Sequence, residues 1–127
     1  MNFPDNLKYT KEHEWLRIEN DTAVVGVTDY AQSELGDIVY IEFPEVGTSF
    51  SQNDSIGTIE AVKTVADLYA PVSGELLEVN TELKDNPELV NQDPYEKGWM
   101  LKIKIGDPSE IDTLMDSSAY KEHVAEA

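Results

Sequence analysis

The stretch from Ile59 to Leu68 runs almost as a palindrome: Ile59-Glu60-Ala61-Val62, then Lys63-Thr64, then Val65-Ala66-Asp67-Leu68. Two β-prone runs that mirror each other about a short break specify an antiparallel hairpin. The symmetry predicts strands over Ser55 to Val62 and Val65 to Tyr69, with Lys63-Thr64 as the loop. In that register Val62 faces Val65, Ala61 faces Ala66 and Glu60 faces Asp67. Lys63 then sits at the tip, where it projects furthest from the protein.

Other short runs surround this hairpin. Tyr9-Thr10 and His13 to Ile18 read as a strand, Asn20-Asp21 as a turn, and Thr22 to Val27 as the returning strand. Thr28 can cap a helix over Asp29 to Leu35 that stops at Gly36. Asp37 to Phe43 alternates like a strand and ends at Pro44. Gly47 and Ser49 to Asp54 mark turns. Glu75 to Val79 and Trp99 to Ile105 are further strands, the latter with Ile103 inward and Lys102 and Lys104 outward. Asn80 to Asp93 reads as a loop-rich connection that has room for a short turn of helix. Asp107-Pro108-Ser109-Glu110 signals a helix start, with Asp107 as N-cap and Glu110 reaching back as a capping box. That helix is expected to reach Met115, with another from Ser117 to Ala125. The pattern predicts a mainly β fold, a sandwich or flattened barrel, with a short helix after the first hairpin and C-terminal helices on its outside.

The composition narrows the chemistry. A chain of 127 residues suits one compact domain, with a core over about 8–106 and a helical segment over about 107–127. There is no cysteine, so disulfides and thiolate chemistry are excluded. The net charge of −17 and the lack of any basic stripe argue against nucleic acid. The charge favours a monomer, and it has two readings, simple solubility or the steering of fast encounters with basic partners. No apolar run is long enough to cross a bilayer. Residues Met1 to Asp5 do not resemble a signal peptide. A cytoplasmic protein is expected, with a mature mitochondrial form as the alternative.

Lys63 is the single base among thirteen Asp and Glu residues between Arg17 and Lys84. Most exposed lysines are simply solvated, but three features set this one apart. Its loop lacks the Gly, Asn or Asp that usually stabilises a two-residue hairpin turn. The mirrored register opposes Glu60 to Asp67, an unfavourable like-charge pair. The flanking valines and alanines are small and stiff, so they hold the tip without covering the amine. A Schiff-base or general-base lysine is usually buried or set beside other cations, and Lys63 has neither setting, so an attachment point fits better than a catalytic group. His13 and His123 lie far apart in sequence and lack metal-ligand spacing, so no metal site is expected.

The run from Gly57 to Gly74, centred on Glu60-Ala61-Val62-Lys63-Thr64-Val65, resembles the lipoyl-attachment segment of glycine cleavage system H proteins. Tyr9-Thr10-Lys11-Glu12-His13-Glu14-Trp15, Gly26 to Gln32, Leu35 to Tyr40 and Gly98-Trp99-Met100 are similar to the same family. Its fold is a lipoyl-domain-like barrel-sandwich hybrid, a flattened β-barrel, here a single carrier domain over 1–127. The resemblance implies (R)-lipoate joined by an amide to Lys63. Glu60 and Gly74 match positions that the attaching enzymes recognise. Ala61 departs from the family, which often has serine there. Val62 and Thr64 carry neither the methionines that flank a biotinyl lysine nor the aspartate that precedes the lysine of acyltransferase lipoyl domains.

The implied role is that of a carrier and not an enzyme. The resemblance implies three partners besides the lipoate-attaching enzyme: glycine decarboxylase (P protein), aminomethyltransferase (T protein) and dihydrolipoamide dehydrogenase (L protein). The first loads the aminomethyl group of glycine, the second passes it on, and the third reoxidises the dithiol. The family's loaded arm folds into a cleft of the carrier, which the sequence does not identify. The alternative is a lipoyl-relay donor or adaptor that serves the lipoylation of other complexes.

Overall fold

The computed structural model describes residues 1–126. Its nine strands are β1 (Lys8–Tyr9), β2 (Glu14–Glu19), β3 (Thr22–Val27), β4 (Ile38–Glu42), β5 (Ser49–Phe50), β6 (Ser55–Ala61), β7 (Val65–Tyr69), β8 (Gly74–Val79) and β9 (Leu101–Ile105). They form a six-stranded sheet, ordered β1-β2-β3-β9-β8-β5, and a three-stranded sheet, ordered β4-β6-β7. All neighbours are antiparallel. The expected barrel-sandwich architecture is present as two separate sheets and not as one closed ladder.

Alternation along the strands makes the core. Leu16, Val25, Leu76 and Ile103 of the large sheet meet Ile41, Ile59 and Leu68 of the small one in a single buried cluster. Each fully buried aliphatic side chain stabilises the sandwich by roughly 2 kcal/mol. A second cluster holds Tyr9, Trp15, Val24, Tyr95 and Tyr120. There α4 (Ser117–Ala125) covers β1, with Tyr120 stacked on Tyr9 at 4.7 Å between ring centres.

Local signals fix several elements. The turn at Asn20-Asp21 joins β2 to β3, and Asn20 takes a φ of 61°. The Thr28 hydroxyl accepts the Ala31 N–H at 3.2 Å and starts α1 (Asp29–Leu35), an interaction of about 1 kcal/mol. Gly36 ends α1 with a φ of 77°, which favours glycine.

Other expectations are corrected. Ser49–Phe50, read as part of a turn, is an edge strand held by Gly74 and Glu75. The Asn80 to Asp93 connection holds two short helices, α2 (Glu82–Asp85) and α3 (Leu89–Gln92), where one short turn was expected. The helix after Asp107 is a 3-10 helix over Pro108–Thr113 that stops short of Met115. Asp107 does cap it, but Glu110 forms no capping box. Its carboxylate instead accepts the Ser73 N–H at 2.6 Å and the Ser73 hydroxyl at 2.9 Å. A strand-end N–H left unpaired by the Pro71–Gly74 turn outcompetes the helix's own N–H group.

Candidate functional site

The β6–β7 hairpin carries Lys63 at its tip, but the mirror axis lies one residue earlier than the palindrome indicates. Glu60 pairs with Val65, Ile59 with Ala66 and Thr58 with Asp67. Ala61 N donates to Thr64 O at 2.8 Å, leaving Val62 and Lys63 as the two tip residues. The expected opposition of Glu60 to Asp67 is therefore absent. The physical reason is a bond outside the hairpin: Val62 N donates to Asp37 O at 2.9 Å and so is withdrawn from the ladder. None of Val62, Lys63 and Thr64 takes a positive φ, so the tip needs no Gly or Asn.

Lys63 is exposed, yet its side chain does not stand straight out. It lies across Gly36, where an added β-carbon would fall 3.3 Å from Cε and 3.8 Å from Nζ. No ion pair of Lys63 occurs among the described residues. Asn91 of α3 fixes the ledge beneath it. The Asn91 carboxamide accepts the Ile38 N–H at 3.0 Å and donates to Gly36 O at 2.8 Å and Gln32 Oε1 at 3.1 Å. One side chain from a loop-rich segment thus ties together the end of α1, the start of β4 and the support of the hairpin tip.

A cleft of about 390 Å³ runs between α1 and the hairpin stem, with Leu35 of its wall next to Gly36 in the chain. Val27 and Ile59 give it apolar surface, and Glu12, Glu14, Glu34 and Asp67 line it with carboxylates. Glu14 is only 1% exposed. It accepts the Thr10 hydroxyl at 2.5 Å and, weakly, the Tyr69 N–H at 3.4 Å. Burial pushes its carboxyl up from 4.5 to about 7, against the opposing effect of these bonds. A larger groove of about 570 Å³, between Glu78 and Trp99, includes no residue of the hairpin.

His13 also lines the cleft, with a φ of 71°. Its Nδ1 shares a 2.8 Å hydrogen bond with the Tyr120 hydroxyl, which is 2.7 Å from Thr28 Oγ1. His123, distant in sequence, lies near it, with ring centres 5.6 Å apart and the ring planes tilted by 34°. Burial, then the nearby His123, lowers the His13 pKa. The described residues contain no group of three or more His, Asp or Glu side chains arranged to hold a metal.

Glu60 and Gly74 occupy different settings. Glu60 is exposed on β6, between Tyr40 of β4 and Val65 of β7. Gly74 begins β8 in the other sheet, and a β-carbon there would lie 2.1 Å from Lys104 O. Packing alone thus demands glycine at 74. Glu14, the cleft and Asn91 were not legible in the sequence, because each depends on segments that meet only after folding. The Thr10–Glu14 spacing is the one local hint of a held carboxylate.

The two-sheet β fold, with an exposed lysine on a hairpin tip beside a cleft, is of the lipoyl-domain-like barrel-sandwich class. A family model described as "Glycine cleavage H-protein" matches residues 7–127. The chain is 56% identical to a glycine cleavage system H protein of Halothermothrix orenii, over 99% of this chain and 98% of that one. It is 52% identical to one of Staphylococcus carnosus, over 99% and 100%. The crystal structure of the H protein from Mycobacterium marinum superposes with a TM-score of 0.86 at 36% identity, covering 97% of this chain and 99% of that one. The chain belongs to the glycine cleavage H-protein family.

Proposed function

We propose that Lys63 bears a lipoyl group through an amide at Nζ and that the chain carries one-carbon cargo between the enzymes of glycine cleavage. Family membership supports the coarser role, a carrier subunit of the glycine cleavage system. The proposed partners are the glycine decarboxylase, the aminomethyltransferase, the dihydrolipoamide dehydrogenase and a lipoate-attaching enzyme. The observation that carries the reading is the exposed, unpaired Lys63 amine at the apex of a hairpin tied to Asp37.

The residues present fit the group. When bound, lipoate supplies a dithiolane that opens on reduction and holds a small fragment on sulfur. Lys63 provides the acceptor amine, and acylation takes the formal net charge from −17 to −18. The rigid tip limits the ordering needed when the arm enters a partner, and tethering raises the arm's local concentration there. The cleft beside Gly36 is the proposed shelter, since its apolar surface suits a hydrocarbon arm and its carboxylates suit a cationic cargo. Glu60, being exposed, is proposed to contact the attaching enzyme directly. Gly74 is proposed to act through the placement of β8 against β9. The bacterial relatives support a cytoplasmic setting, and the charge supports a monomer. Among the described residues, no helix is long and apolar enough to cross a membrane.

The test is reconstitution. Lipoylated chain added to a bacterial glycine decarboxylase should support exchange of labelled bicarbonate into glycine, and Lys63→Arg should not. Lipoylated chain that supports no exchange, yet donates its lipoyl group to a 2-oxoacid dehydrogenase, would replace the cleavage role with lipoyl relay.

A further inference from the structure

The outer face of the small sheet is unusually apolar for so acidic a chain. Exposed large apolar side chains are Met1, Val39, Tyr40, Val46, Val62, Val65 and Leu77. Four of these seven surround the hairpin tip: Val39 and Tyr40 on β4, and Val62 and Val65 at the turn. They are brought there by a defect in the ladder. The pairing of β4 with β6 shifts between Ile38 and Tyr40. Simple alternation would send Ile38 inward, Val39 outward and Tyr40 inward. The shift turns Val39 and Tyr40 outward together and restores Ile41 to the core. Bulges that re-aim a side chain in this way cluster at functional edges.

Cross-strand pairing sets the rest of the face. Tyr40, Glu60 and Val65 form one row, and Glu42, Thr58 and Asp67 form the next. Asp37, Glu42, Glu60 and Asp67 thus rim an apolar centre, and Lys63 is the only base on β4, on the hairpin strands or in their turn. Such a face suits a partner with an apolar patch ringed by Lys and Arg.

We propose that Val39, Tyr40, Val62 and Val65 are the docking footprint of the enzyme that acylates Lys63. The inference rests on the lipoyl reading above. Reach selects this occupant over the other partners. An unmodified lysine is a short tether, so an enzyme that acylates it must press against the backbone that carries it. The enzymes that meet the finished arm act at its far end and need no such closeness. Acylation removes the lysine's charge but leaves the footprint in place, so the surface must favour the unmodified tip through the amine itself.

The experiment is steady-state acylation by a bacterial lipoate–protein ligase with lipoate and ATP, varying the carrier concentration. The variants are Tyr40→Ser, Val65→Thr and Val62→Thr. Val62→Thr keeps the β-branched shape at the most exposed of the four positions, so it probes the face even if Tyr40→Ser folds poorly. Val46→Ser, at a valine elsewhere that is as exposed as Val65, is the control. The expected result is a KM about tenfold higher for Tyr40→Ser and about threefold higher for each valine variant. The expected kcat at saturation stays within about twofold, and the wild-type KM rises with added salt. Melting temperature and acetylation of Lys63 by acetic anhydride, mapped by peptide mass, should match wild type. Val62→Thr and Val65→Thr with wild-type KM, or Val46→Ser with an equal rise, would overturn the footprint. Wild-type chain left unmodified by an active ligase would overturn the lipoyl reading instead, which keeps the two failures apart.

Discussion

Replacing Glu14 with glutamine should make the protein's stability less dependent on pH. The carboxyl is nearly fully buried and its pKa is raised from 4.5 to about 7. The native state therefore holds a proton at this site that the unfolded chain has already released between those values. Stability must then fall as pH rises through this window. Below about 4.5 the carboxyl is neutral in both states and imposes no penalty. Above about 7 it is charged in both, and the penalty is complete. A shift of this size corresponds to roughly 3 kcal/mol. Glutamine has no charge to desolvate, although its amide matches the Thr10 and Tyr69 partners imperfectly, so its absolute stability can lie on either side of wild type. The slope isolates the charge. Urea melts followed by circular dichroism at intervals from pH 4.5 to pH 8 should show Glu14→Gln gaining about 2–3 kcal/mol on wild type across that range. A difference curve flat to within about 0.5 kcal/mol would refute a proton held at Glu14.

Two further substitutions test the framework around the tip. Asn91→Ala removes the acceptor of Ile38 N–H and two donors to the ledge. It should cost about 2 kcal/mol, and hydrogen exchange should speed up selectively at the Ile38 and Val62 amides. Unchanged exchange at both would show that the ledge holds itself. Gly74→Ala forces a β-carbon to within 2.1 Å of the Lys104 carbonyl oxygen. It should destabilise by about 3 kcal/mol or more, read as a lower melting temperature. A variant of wild-type stability that is not lipoylated would instead point to direct recognition at this position.

The legible parts of the fold were those with local causes. Thr28 and Gly36 bracket α1 because a hydroxyl cap and a positive φ act within a few residues. The mirrored runs located β6 and β7, and alternation located β9, since burial of one face repeats every second residue. The tip register differs from the palindrome, whose one axis lies between Lys63 and Thr64, because the pairing is set by the bond from Val62 N to Asp37 O, far from the hairpin in sequence. The bulge at Tyr40 breaks the alternation expected over Asp37 to Phe43: Ile38, Val39, Tyr40 and Ile41 are all apolar, so no polar residue marks where the pattern slips. Glu110 was misassigned because a capping box competes with partners that folding supplies, and Ser73 won. The exposed place of Lys63 at a hairpin tip was legible from the mirrored runs on either side of it. The cleft beside it was not, since its walls come from β2, α1 and the hairpin.

The central claim concerns one ε-amino group. Incubation of the chain with lipoate, ATP and a lipoate–protein ligase, followed by intact mass and peptide mapping, tests it directly. The expected result is a single lipoyl addition, confined to the peptide that contains Lys63 and absent from Lys63→Arg. Addition at another lysine, or none with a ligase that is active on a control carrier, would contradict it.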